Sequence, residues 1–169
     1  IPTIATDTMN MPHIASDVGG QGKVLLFNKQ GNTWSGSSYN TGGSQFYNPR
    51  IEINDFDQAW ISGVKWWPDA NGLIYIKDIA SDPSVTNYVR SAKGGHCCFP
   101  IGLISIDPLK KDECIFWAGN GGYFERFGLS GDSLVSSGTG YMESGQGGEV
   151  SSFAISKNGN VPHQNGEQK

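Results

Sequence analysis

Charge is scarce in this 169-residue sequence: Asp, Glu, Lys and Arg make up 17% of it, against roughly 25% in ordinary soluble proteins. Only three residues are Arg (Arg50, Arg90 and Arg126), and twelve basic against sixteen acidic residues leave a formal charge of −4. The only basic pair, Lys110-Lys111, is followed at once by Asp112 and Glu113. A nucleic-acid groove needs a basic stripe to release phosphate counterions, so this balance argues against a nucleic-acid partner. No apolar run approaches the ~20 residues that span a bilayer, and no basic amphipathic segment suggests surface anchoring, so no membrane insertion is expected. Asn-x-Ser/Thr is absent despite 12 Asn residues, which gives no sign of glycosylation and favours a bacterial or viral source. The sequence opens at Ile1 without a Met or an apolar leader, which reads as a processed or trimmed chain.

Cysteine is also sparse. Cys97, Cys98 and Cys114 are too few for a disulfide framework and lack the paired C-x-x-C spacing of a zinc site. Buried free thiols are one reading. The other is a bridge from the vicinal pair to Cys114, with Cys98–Cys114 the favoured pairing, closing a loop of about 16 residues worth roughly 3 kcal/mol in the chain-entropy model.

What the sequence has in abundance is Gly (24), Ser (18) and Asn (12) between short apolar runs. Residues 23–28 read as a short apolar strand. Residues 50–56 alternate, with Ile51 and Ile53 on one face and Arg50, Glu52 and Asn54 on the other. Residues 58–67 and 73–79 form a hairpin across Pro68-Asp69-Ala70-Asn71-Gly72, in which Trp60, Ser62, Val64 and Trp66 share one face. Further strands are expected at 101–106, 113–118, 123–129 and 149–156, with a turn at Gly119–Gly122, giving seven or eight in all. Asp82-Pro83 followed by Val85, Tyr88, Val89 and Ala92 at helical spacing, then Gly94-Gly95, predicts one short α-helix over about 83–93. The Gly31–Ser44 stretch reads as a long loop, Gly128–Gly148 as a second Gly/Ser-rich segment, and no internal repeat is apparent. The expected fold is mostly β: a single β-rich domain over 1–169, an antiparallel β-sandwich or small barrel carrying that helix, with 1–21 and 157–169 as extended arms. An α+β arrangement with the helix on one face of an antiparallel sheet is the alternative.

Three constellations bear on chemistry. His96 beside Cys97 and Cys98 has the elements of a thiolate nucleophile and base, although sequence neighbours on a strand point to opposite faces. Glu52, Asp55 and Asp57 form a carboxylate group, but at a strand end where solvated side chains are the simpler account, and Asn54, Asp55 and Asp57 lack the spacing of a calcium loop. Aromatics on polar loops are the third. Sugar hydroxyls need short neutral donors and acceptors, and sugar C–H faces stack on rings, so Trp34, Tyr39 and Trp67 with Asn40, Gln45, Tyr47 and Asn48 form a candidate ligand-binding set. The sequence thus suggests a non-enzymatic recognition module, extracellular or on the surface of a cell, pilus or virion, that binds a glycan or cell-surface receptor. It calls for no metal or cofactor and leaves room for a homo-oligomer. A structural subunit of a fibre or shell is the alternative, and a cysteine-dependent hydrolase or toxin the second.

Overall fold

The computed structural model describes residues 2–19, 22–40, 47–64, 71–91, 102–107, 109–118, 123–131 and 133–141. They form twelve strands: β1 Thr3–Thr6, β2 Pro12–Asp17, β3 Lys23–Gln30, β4 Thr33–Asn40, β5 Tyr47–Ile53, β6 Ala59–Val64, β7 Asn71–Asp78, β8 Asp82–Ser91, β9 Gly102–Ser105, β10 Glu113–Ala118, β11 Tyr123–Ser130 and β12 Ser133–Tyr141. Consecutive strands pair antiparallel into three four-stranded meanders, β1–β4, β5–β8 and β9–β12. The protein is therefore mostly antiparallel β and sandwich-like.

The middle sheet is covered on both faces. Ile51, Ala59, Ile61, Ile74, Ile76 and Ile79 pack against Ala15, Val24 and Leu26 of the first sheet. Trp60, Leu73 and Tyr75 point the other way, against Ile104, Ile106, Cys114, Phe127 and Leu134 around the third. The alternation read on residues 58–67 holds over the described stretch 59–63, where both phases are buried because the sheet lies between two others. Trp60 is fully buried, with its ring centroid 4.6 Å from that of Tyr75 at an interplanar angle of 48°.

Several expectations need correction. No helix occurs among the described residues, and 82–91 is strand β8, paired with β7 from Asn71↔Ser91 to Asp78↔Asp82. The helical spacing has a β explanation. The register shifts so that Tyr75 pairs with Asn87 and Ile76 with Val85, which leaves Thr86 as an extra residue. Val85 and Tyr88 thereby stand opposite Ile76 and Ile74, two residues of one face, although three positions separate them. Second, the expected loop at 31–44 contains strand β4, joined to β3 across Gly31-Asn32, with Gly31 at φ +59. Third, there is an internal repeat, described below with its loops. Strand β12 lies in the second Gly/Ser-rich stretch. Residues 3–17, read as part of an arm, run as β1 and β2 of the first sheet. The hairpin turn at 68–72 is described only at Asn71 and Gly72, which pair with Val64 and Gly63. The expected strand 149–156 and arm 157–169 lie outside the described residues.

Candidate functional site

The three sheets share one plan at the turn between their first two strands. Asp7, Asn54 and Asp107 each follow the first strand, and each side chain caps the turn. Asp7 Oδ1 accepts the N–H of Met9 (2.9 Å) and Met11 (2.8 Å). Asn54 Oδ1 accepts those of Phe56 (3.1 Å) and Gln58 (3.0 Å), and Asp107 Oδ1 that of Leu109 (3.1 Å). In each case the residue three positions on donates its N–H to the capping residue's carbonyl: Asn10 to Asp7, Asp57 to Asn54 and Lys110 to Asp107. Short Asx side chains close such turns and tolerate the left-handed region, which Asn10 (φ 60) and Asp57 (φ 57) occupy. The repeated signal in sequence is Ile-x-x-[Asp/Asn]: Ile4 to Asp7, Ile51 to Asn54 and Ile104 to Asp107.

These turns are tied sheet to sheet. Thr8 donates from its backbone N–H and its hydroxyl to the two carboxylate oxygens of Asp57, both at 2.8 Å. Asn54 Nδ2 donates to Gln58 Oε1 (2.9 Å) and to the Lys110 carbonyl (3.2 Å). Gln58 Nε2 donates to Tyr75 Oη (2.8 Å) and to Asp112 Oδ1, while Gln58 Oε1 accepts the Asp112 N–H (2.8 Å). Burial and the Asp112 carboxylate push the Tyr75 hydroxyl up, so it stays protonated. The first sheet has its own buried cluster, in which the His13 ring nitrogens lie 3.0 Å from Asp7 Oδ2 and 2.8 Å from Asn28 Oδ1. Burial raises the Asp7 carboxyl, but hydrogen bonds from His13 and from the Met11 and Met9 N–H groups outweigh it and hold Asp7 below the usual carboxylate range.

The described members of the candidate ligand-binding set do not form one group. Trp34 and Asn40 lie at opposite ends of β4, which six residues of strand put about 20 Å apart. They share the outer face of the first sheet, with Trp34 45% exposed. Tyr39 lies on the opposite face, half-buried against the core between the first two sheets. Tyr47 is half-buried at the start of β5, and Asn48 is exposed with its N–H donating to Asp17 Oδ2 (3.2 Å). Gln45 and Trp67 lie outside the described residues.

Cys114 is a free thiol, fully enclosed between the second and third sheets, which is the buried-thiol reading of this cysteine rather than the bridged one; Cys98 lies outside the described residues. Burial pushes the Cys114 thiol well above its ordinary range, the opposite of what a nucleophile needs. His13 is committed to Asp7 and Asn28 in the first sheet. Among the described residues no group of three His, Cys, Asp or Glu is placed to hold a metal, and no helix is long and apolar enough to cross a membrane. Comparison of the chain with protein-family models, curated proteins and solved structures finds no match.

Proposed function

We propose that the protein is a non-catalytic recognition module, displayed outside a cell or on a particle surface, that binds a glycan or cell-surface receptor through the outer face of β3 and β4. The observation that carries this reading is Trp34: a large ring 45% exposed on an edge strand whose other outward residues are Gly36, Ser38 and Asn40. A ring beside short polar groups on a firm sheet suits a sugar face and its hydroxyls. Trp34→Ala should lower affinity on a glycan array or for receptor-bearing cells about tenfold or more. Its melting temperature should stay within about 2 °C of wild type, since no core contact is lost. A large drop in melting temperature accompanying the binding loss would place Trp34 in the structure's stability instead.

A second reading, a subunit of a larger assembly, is favoured by the rest of the same face. Ile4 (63% exposed), Ile14 and Phe27 stand in register across β1, β2 and β3, with the Phe27 ring lying over Gly36. Their counterparts in the second sheet, Ile51, Ile61 and Ile74, are buried against the first. On this reading sedimentation velocity shows mass rising with concentration, and Phe27→Asp abolishes the rise. A monomer throughout leaves the row to ligand.

A further inference from the structure

The outer face of the first sheet carries charge of one sign. Register places Lys23 and Lys29 of β3 outward, opposite Asn40 and Trp34 of β4, and no Asp or Glu stands among the outward residues of β1–β4. Asp17, the one carboxylate in these four strands, pairs with Val24 on the inner face. In a chain whose sixteen acidic residues outnumber twelve basic ones, this face reverses the overall sign. Lysine commonly blunts the exposed edge of a sheet, but β3 is an interior strand, bonded to β2 on one side and β4 on the other. Lys29 is half-buried, and neither lysine forms an ion pair among the described residues. An ammonium in that position gains from an anion that a ligand brings.

We propose that the sugar bound at Trp34 is an acidic one, its ring on the indole and its carboxylate at Lys29; this rests on the reading of Trp34 as a glycan site. Lys29 and Trp34 are directly opposite in register, which sets their Cβ atoms about 5 Å apart, so a ring stacked on Trp34 holds its substituents within reach of the ammonium. The indole supplies contact with a C–H face that neutral sugars share, and Lys29 supplies the discrimination between them. Six residues away along β3, about 20 Å, Lys23 stands on the same face. A chain of uronic acids laid along the strand meets both ammonium groups, whereas a single terminal sialic acid meets Lys29 alone.

The test is calorimetric titration of the intact chain with sialyllactose and with an oligogalacturonate, each compared with its methyl ester, in which the carboxyl is uncharged. Whichever acid binds should do so about fivefold more tightly than its ester. Lys29→Gln should erase that difference with the melting temperature within about 2 °C of wild type, and raising NaCl from about 0.05 M to about 0.5 M should shrink it. Lys77→Gln, which removes an exposed ammonium from the second sheet, should leave it intact. Trp34→Ala should weaken acid and ester alike. Lys23→Gln identifies the source: a further loss of affinity marks the polyuronate, and no loss marks the single terminal acid. Equal affinity for acid and ester, or a preference that survives Lys29→Gln, would overturn the proposal and leave the Trp34 site standing. Binding of neither form would overturn both.

Discussion

Trp60→Ala should cost about 3–5 kcal/mol, the largest loss expected from any single truncation in the middle sheet. Trp60 is fully buried, stacks on Tyr75 and anchors the layer between the second and third sheets, where Leu73, Ile104, Cys114, Phe127 and Leu134 meet. No neighbour is free to collapse into the space, because the same sheet is clamped on its other face by Ile61, Ile74 and Ile76. For a chain of this length the loss should lower the melting temperature by about 10–15 °C, read by circular dichroism. Trp60→Phe is the informative companion. Trp60 Nε1 is buried without a hydrogen-bond partner among the described residues, so phenylalanine keeps the ring contact and removes a polar group left dry. The expected cost is under about 1.5 kcal/mol. A phenylalanine variant as damaged as the alanine one would mean that the indole N–H is satisfied in solution.

Asn54→Ala should be the most damaging truncation outside the apolar layers, at about 2–4 kcal/mol, measured by urea unfolding. It removes the acceptor that holds the N–H groups of Phe56 and Gln58, and the donor that reaches Gln58 Oε1 and the Lys110 carbonyl. The first pair closes the turn and the second ties the second sheet to the third. Asn54→Asp separates them. Aspartate does the turn-closing job at positions 7 and 107, so this variant keeps the acceptor that closes the turn but sets a second acceptor oxygen against Gln58 Oε1 and the Lys110 carbonyl. It should cost at least as much as the alanine variant. A cost well below that of alanine would show that the turn, and not the link between sheets, carries the effect.

Much of the β character was legible because buried strands advertise themselves. The strands expected at 113–118 and 123–129 agree with β10 and β11 to within a residue, since apolar residues crowd both and Gly119–Gly122 separates them in sequence. The strands that escaped notice share a physical cause. In β4 every side chain but Tyr39 faces solvent, so Ser, Gly, Thr and Asn serve as well as any residue and no apolar alternation is written there. Strand β12 is likewise at the edge of its sheet and contributes Leu134 to the core while Val135 is exposed. Strand β8 misled for a different reason: its bulge rephases the pattern, and spacing alone does not distinguish a bulged strand from a helix. The repeat was hidden because it consists of one Asx residue and one isoleucine per sheet, set among dissimilar neighbours. The candidate ligand set fared unevenly, because composition marks residues that suit a sugar but says nothing about which strand face each one occupies. Tyr39 and Trp34 are close in sequence and point to opposite sides of one sheet.

Three sheets built on one plan also create a hazard during folding, since a sheet that meets the wrong neighbour finds similar isoleucines and a similar turn. The polar links between them are not alike. The first sheet reaches the second through Thr8 and Asp57, whereas the second reaches the third through Asn54, Gln58, Tyr75 and Asp112. A sheet in the third one's place without Asp112 and the Lys110 carbonyl would leave the buried Asn54 and Gln58 side chains without their counterparts, a loss of several kcal/mol that the shared apolar pattern does not repay. The dissimilar networks therefore act as addresses, and they make the order of the sheets a property of the sequence rather than of chain connectivity alone.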